Sequence, residues 1–131
     1  MVNEGGLAKQ FIGQALLSSS PFYREPTLYH WQREKVGSSA EVDYVVQHET
    51  EIIPIEVKAG KTGSLRSLHA LMALRQWSTA LRFNGDHPSV TSVNVTTPHG
   101  KDHTYQLLSL PLYLVGQWQR LLSELFGQQA E

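Results

Sequence analysis

Apolar and polar residues alternate along two neighbouring stretches of the chain, residues 40–46 and residues 52–58, and both are rich in Val and Ile. Alternation with a period of two predicts β-strands with one buried face. Residues 47–51, which separate the two stretches, are polar and few enough for a hairpin turn. We therefore predict an antiparallel hairpin whose turn centres on Glu49 and Thr50.

This turn position determines which residues of the two predicted strands face each other. Directly opposed side chains in an antiparallel pair have Cβ atoms roughly 4.5–5.5 Å apart and lie on the same face of the sheet. The expected opposed pairs are Tyr44 with Ile55, Asp43 with Glu56, and Val42 with Val57.

Helical spacing of apolar residues predicts three helices. The first covers residues 4–17, with Leu7, Phe11, Ala15 and Leu16 as its expected core face. The second opens after an N-cap at Ser64 and ends near Trp77 or Ser78. The third is an amphipathic C-terminal helix from Leu112 to Phe126.

The remaining strand-like stretches complete the predicted fold. They are Leu28 to Glu34, Thr79 to Phe83, Val90 to Thr97 and Tyr105 to Leu110. The core order is then helix, three strands, helix, strand. We expect a single α/β domain over residues 1–131, with a mixed sheet and helices on both faces.

Composition narrows the classes of protein that this chain can represent. Its 131 residues suffice for one domain with a core, and a net charge of −1 creates no global field towards nucleic acid or membrane. Any basic surface must therefore be local. Without cysteine there is no disulfide and no thiolate zinc site. No apolar run approaches the roughly 20 residues that span a bilayer, and the N-terminus lacks a signal peptide. These features predict a cytoplasmic protein without a membrane partner.

Carboxylates and an ammonium share one face at the open end of the predicted hairpin. Asp43 opposes Glu56, and the period of two places Lys58 beside Glu56 and opposite Glu41. Opposed carboxylates repel each other unless one is protonated or a cation lies between them, and hard divalent cations prefer such oxygen ligands. The alternative is a solvated strand end with a weak Glu–Lys surface pair worth about 0–1 kcal/mol.

The combination of Asp43 with Glu56-Val57-Lys58 resembles the signature of the PD-(D/E)xK superfamily, the restriction-endonuclease-like nucleases. Longer segments of the sequence are similar to the C-terminal domain of unknown function in prokaryotic AAA-type ATPases, which are described as ATPases fused to a predicted DNase-like domain. The segments that carry this resemblance are residues 29–34, 40–43, 53–65 and 108–114. The resemblance runs over nearly the whole chain, and it implies an ATPase partner in the same chain or operon.

The resemblance also implies a fold and a chemistry. The fold would be a restriction-endonuclease-like α-β-β-β-α-β core with a mixed sheet, plus a C-terminal strand and helix. Asp43 and Glu56 would hold Mg²⁺ or Mn²⁺, and Lys58 would position or activate water and stabilise charge at the phosphate. The implied activity is Mg-dependent hydrolysis of DNA, and we expect no other cofactor.

One position departs from the superfamily pattern. A Glu from the first helix usually joins the metal site, and in the related ATPase domains we expect it in a Gly-Leu-Ala-Glu-Gln-Phe context. Here Gly6 to Phe11 reads Gly-Leu-Ala-Lys-Gln-Phe, so Lys9 occupies that position, and Glu4 would point to a different helical face. Lys9 would weaken metal binding, contact phosphate, or both. The competing hypothesis is therefore a catalytically inactive module that binds nucleic acid or a protein partner.

Two further basic residues flank the start of the second predicted helix. Lys61 and Arg66 would add positive charge where free helix N–H groups receive a backbone phosphate. A nucleotide-binding P-loop is not indicated, because the glycine it requires is replaced by Ile55.

The apolar C-terminal segment, residues 110–126, has two expected roles. The first is to pack on the chain's own sheet. The second is to meet the ATPase or a second copy of the chain, which would make a homodimer.

Overall fold

Six strands form one mixed sheet in this computed structural model, which describes residues 4–18, 28–35, 38–58, 65–96 and 102–129. The predicted order of helix, three strands, helix and strand is confirmed over these residues, and the chain is of the α/β class. The elements are α1 Glu4–Ser18, β1 Leu28–Lys35, β2 Ser38–His48, β3 Glu51–Val57, α2 Arg66–Arg75, β4 Thr79–Asn84, β5 Ser89–Val95, β6 His103–Pro111, a 3₁₀ segment Leu112–Gln117 and α3 Trp118–Gln129.

The strands lie in the order β1-β2-β3-β4-β6-β5. The first three pair antiparallel as a meander, β4 pairs parallel with β3 and with β6, and β5 pairs antiparallel with β6. Parallel pairing requires a crossover, and α2 supplies it between β3 and β4. The carboxyl end of β3 and the start of α2 therefore meet at one edge of the sheet.

The β2–β3 hairpin has the register that its sequence predicts. Tyr44 pairs with Ile55 and His48 with Glu51, so the turn falls on Glu49 and Thr50. Glu49 adopts a left-handed conformation with φ 57°, as a tight hairpin turn requires.

The sheet carries a hydrophobic core on each face, as the predicted helices on both faces require. α1, the 3₁₀ segment and α3 cover one face, where Ile12, Ile55, Phe83, Trp118 and Leu122 are buried together. α2 covers the other face, where Leu68, Met72, Ala80, Tyr105 and Leu107 are buried together. Burial of Leu110, Val115, Trp118 and Leu122 shows that much of the apolar C-terminal segment packs on its own sheet.

The predicted core face of α1 is right for Leu16 but wrong for Leu7 and Phe11. These side chains are 56% and 53% exposed, whereas Ala8, Ile12 and Leu16 are buried. The two rows are neighbours on the helix surface, so the apolar pattern alone allowed either. A contact from β2, described below, fixes the rotation of α1 that buries the row with the smaller residues.

Two helix boundaries also differ from the prediction. α2 begins after Leu65, which makes no side-chain capping hydrogen bond, and the predicted cap, Ser64, lies outside the described residues. The helix ends at Arg75, before the predicted end, because Gln76 is left-handed with φ 56°. The C-terminal helix starts as a 3₁₀ segment. Three residues per turn align Val115 with Trp118, and both are buried.

None of the helices in the described ranges is both long and apolar enough to cross a bilayer.

Candidate functional site

Asp43, Glu56 and Lys58 lie together at the edge of the sheet where β3 ends. Beyond the Tyr44–Ile55 pair, one oxygen of the Asp43 side chain accepts the backbone N–H of Val57 at 2.8 Å. Glu56 alternates with Ile55 and Val57, which face α1, so its side chain lies on the opposite face. Lys58 Nζ is 3.4 Å from Glu56 Oε1. The structure thus brings together the three residues that the sequence nominated as catalytic.

The backbone at Lys58 is also held in place. Its N–H donates to the carbonyl oxygen of Phe83 at 2.8 Å, which continues the parallel pairing of β3 with β4 by one residue. The Glu56–Lys58 segment is therefore anchored on both sides, by Asp43 of β2 and by Phe83 of β4. Such support fixes the spacing between a carboxylate and an ammonium that must act together.

Lys9 of α1 reaches the same site. Its Nζ is 3.3 Å from Asp43 Oδ1, and the Asp43 side chain is only 15% exposed. Each of the two carboxylates therefore has its own ammonium, Lys9 for Asp43 and Lys58 for Glu56. The Lys9 ammonium therefore offsets the negative charge of Asp43 in this structure.

Tyr44 holds α1 in the position that allows this contact. Its hydroxyl donates to the backbone carbonyl oxygen of Lys9 at 2.8 Å, and its ring lies directly against Gly13, where a Cβ would come within 2.9 Å of Cζ. The sequence reasoning missed Tyr44 as a positioning residue. The available signal was Gly13 itself, since a glycine inside a helical pattern often marks a close packing contact.

We expect Gly13→Ala to destabilise the protein. The added methyl group collides with the Tyr44 ring, and overpacking typically costs about 1–3 kcal/mol, which exceeds the roughly 1 kcal/mol gained in helix propensity. The net loss should be up to about 2 kcal/mol in the free energy of unfolding, measured by urea denaturation. Gly116→Ala is the matched control, because a Cβ there meets nothing within 4 Å. Equal stability of the two variants would contradict the packing assigned to Tyr44.

Burial raises the pKa of Glu56 to about 7, with a further contribution from the Asp43 carboxylate, while Lys58 acts in the opposite direction. Burial contributes more to this rise than the repulsion between the two carboxylates does. Burial also raises the pKa of the Tyr44 phenol, against the lowering influence of Lys9. At neutral pH the site therefore holds two ammonium groups and one carboxylate that is only partly ionised.

This titration predicts a pH dependence of stability. The pKa of Glu56 is raised from its usual 4.5 to about 7, so the folded protein binds more protons than the unfolded chain between these values. The free energy of unfolding should therefore fall as pH rises through this window, by about 2 kcal/mol after allowance for solvent at the sheet edge. Denaturation from pH 4.5 to 7.5 should show this slope in wild type and lose it in Glu56→Gln. Glu51→Gln, at an exposed position of β3, should keep it.

The other nominated residues are less closely defined. Arg66 is the first residue of α2 and is exposed, and the crossover places it at the same sheet edge as Glu56. Lys61 lies outside the described residues, as does the side chain of Glu41. The roles of all three stay predictions.

Within the described parts of the chain, no group of three or more His, Asp or Glu side chains could hold a metal ion. Mg²⁺ often takes only one or two protein carboxylates and keeps its waters. The donor chemistry of Asp43 and Glu56 fits that requirement, provided that the Lys9 ammonium moves away from Asp43.

Two of the described histidines, His69 and His103, take part in packing contacts away from this site. The ring of His69 shares a hydrogen bond of 2.7 Å with the Tyr105 hydroxyl, and His103 Nε2 lies 2.6 Å from the carbonyl oxygen of Trp77. Burial lowers the pKa of His69 and so favours its neutral imidazole.

Comparison with known proteins gives a family but no activity. No curated protein is significantly similar to this chain. A family model described as "Domain of unknown function (DUF4143)" matches residues 4–113, which include α1, the whole sheet and the candidate site. The chain therefore belongs to this family of domains of unknown function.

Proposed function

We propose that this chain is a metal-dependent nuclease-like domain that hydrolyses DNA phosphodiesters and acts in the cytoplasm with an AAA-type ATPase. The observation that carries the proposal is the convergence of Asp43, Glu56 and Lys58. Two carboxylates from adjacent strands meet at one sheet edge, and an ammonium lies 3.4 Å from one of them. This is the combination that phosphodiester hydrolysis with a divalent cation requires.

The topology supports the same proposal. The resemblance implies a core with the order helix, three strands, helix and strand. The described elements follow that order, with β1, β2 and β3 antiparallel and α2 as the crossover to β4, which is parallel to β3. The site lies where β2 and β3 stop exchanging backbone hydrogen bonds, and there the Asp43 side chain accepts the N–H of Val57 in place of a backbone partner.

Each residue has a defined task in this proposal. A bound Mg²⁺ or Mn²⁺ would supply Lewis acidity and an activated water. Asp43 and Glu56 would hold it, and Asp43 is oriented for this by the Val57 N–H. Lys58 would offset the negative charge that develops at the phosphate, from a position fixed by its backbone bond to Phe83.

A second candidate function follows from the 3.3 Å contact between Lys9 and Asp43. An ammonium in this position satisfies the carboxylate without a metal ion. The domain would then be a catalytically inactive module that binds nucleic acid or a protein partner through the same edge. Two ammonium groups beside a carboxyl that is partly protonated at neutral pH favour an anionic ligand.

Incubation of plasmid and single-stranded DNA with Mg²⁺ or Mn²⁺ tests the two candidates. Cleavage by wild type that Asp43→Ala abolishes would support the nuclease. Cleavage that persists in Asp43→Ala would identify a contaminant. Absence of cleavage, together with calorimetric silence towards both metals, would favour the binding module.

A further inference from the structure

Arg82, a basic residue that was not predicted from the sequence as a site residue, lies directly beside the site. Arg82 on β4 is the register partner of Glu56 on β3, and Ser109 on β6 is the register partner of Arg82. Neighbouring strands are about 4.8 Å apart, and paired residues point to the same face of a sheet. Glu56, Arg82 and Ser109 therefore form a polar row across three strands, and Asp43 lies next to its Glu56 end.

Arg82 is held in a fixed orientation. Its Nε donates to the Ser109 hydroxyl at 3.0 Å, and Ser109 is only 1% exposed. A guanidinium has five N–H donors in a rigid planar fork, so this bond uses one and leaves the terminal nitrogens. The Arg82 side chain is partly buried. Its orientation is therefore set by the protein before any ligand arrives.

Arg82 has no carboxylate partner within the described parts of the chain. Among the residues that the structure describes, the ion pairs are Lys9–Asp43, Lys58–Glu56 and Arg120–Glu124, and Arg82 takes part in none. Partly buried charges are ordinarily paired. Counted over the described side chains Lys9, Asp43, Glu56, Lys58 and Arg82, this edge carries one more basic group than acidic groups.

We propose that Arg82 binds a backbone phosphate of a nucleic acid, adjacent to the phosphate that the Asp43–Glu56 site receives. The inference rests on the proposed function, because it takes the ligand of this edge to be a nucleic-acid strand. A planar fork suits bidentate recognition of phosphate oxygens better than an ammonium does. The Ser109 bond leaves the terminal nitrogens to supply that fork.

Fluorescence anisotropy of labelled single-stranded and duplex DNA over a salt series, with Ca²⁺ to prevent cleavage, tests the inference. Arg82→Gln should lower affinity and reduce the magnitude of the slope of log K against log salt by about 0.7 for single strands and about 0.9 for duplex. Ser109→Ala should lower affinity several-fold with the slope unchanged, because the charge remains. Arg120→Gln is the matched control, since Arg120 is exposed and paired with Glu124. It should change neither quantity.

Competition with free nucleotide and with inorganic phosphate, both in excess, distinguishes a strand from a small anion. Displacement of DNA by either one at the affinity of the oligonucleotide would overturn the assignment to a nucleic-acid strand. If Arg82→Gln lowers only the melting temperature and leaves affinity and salt slope unchanged, Arg82 has a purely structural role and the inference is overturned. DNA cleavage by wild type would still support the proposed function in that case. If wild type cleaves no DNA but Arg82→Gln still reduces the salt slope, the proposed catalysis is overturned and the Arg82 contact stands. If Arg82→Gln does not fold, an unchanged affinity in both Ser109→Ala and Arg82→Lys overturns the inference.

Discussion

Glu56→Gln should lower metal-dependent DNA cleavage by at least about a hundredfold to a thousandfold, the range seen when one group that stabilises charge in a transition state is removed. The amide is a weaker ligand for a hard divalent cation than a carboxylate. The substitution also removes the carboxyl group of Glu56, the pKa of which is raised to about 7 by burial. Single-turnover cleavage assays measure the effect, and retention of activity within tenfold of wild type would contradict the site.

Substitutions at two other positions, Asp43 and Lys58, should affect metal binding and DNA cleavage differently. A divalent ion that binds only the folded state raises stability by about 2.7 kcal/mol at a hundredfold excess over its dissociation constant. Wild type should therefore melt at a higher temperature with Mn²⁺. Lys58→Ala should keep this rise and lose cleavage, whereas Asp43→Asn should lose most of both. A full metal response in Asp43→Asn would mean that the ion binds elsewhere.

The stability of Asp43→Asn without metal provides the internal control. Its side-chain oxygen can still accept the N–H of Val57, and the repulsion towards Glu56 disappears. The variant loses the ion pair with Lys9, a partly exposed interaction worth about 0–1 kcal/mol. We therefore expect a melting temperature close to that of wild type, so that a lost metal response is not confused with unfolding.

The hairpin and its carboxylates were predictable because their information is local. A period of two and a short polar turn define the register that pairs Tyr44 with Ile55, and that register brings Asp43 to Glu56. Lys58 follows from the same period, two residues after Glu56 in the same strand. No distant contact enters this argument.

The rotation of α1 was not predictable, because a residue 35 positions away decides it. The apolar rows that start at Leu7 and at Ala8 are equally good helical patterns. The bond from Tyr44 to the Lys9 carbonyl oxygen selects the second row. The resemblance therefore suggested Lys9 as a site residue. Only the structure shows the Tyr44 contact that places the Lys9 side chain near Asp43.

Arg82 was missed for a related reason. Its neighbour Glu56 lies on a strand that precedes a crossover helix, and parallel pairing has no turn from which a register can be counted. Its hydrogen-bond partner Ser109 lies on a third strand. Only the assembled sheet shows that these three residues form one row.

Lys9→Glu should tighten Mg²⁺ or Mn²⁺ binding by about 10–100-fold over wild type at neutral pH. The change removes an ammonium that competes for Asp43 at 3.3 Å and adds a third carboxylate, and ligand charge count is what tunes affinity for such cations. Because Tyr44 holds the Lys9 backbone rather than its side chain, the new carboxylate should project towards the same position. Isothermal titration calorimetry of the metal alone measures the gain without reference to cleavage.

Lys9→Gln separates the two causes, because it removes the ammonium without adding a ligand. Its metal affinity should lie between those of wild type and Lys9→Glu if competition and coordination both contribute. Without metal, Lys9→Glu should be the least stable of the three proteins, since three carboxylates then share one edge, and added Mn²⁺ should reverse that order. If Lys9→Gln binds metal no better than wild type and Lys9→Glu binds it less well, the ammonium does not compete with the cation. The 3.3 Å contact would then support the inactive nucleic-acid-binding module, in which Lys9 and Asp43 are a permanent ion pair of the fold.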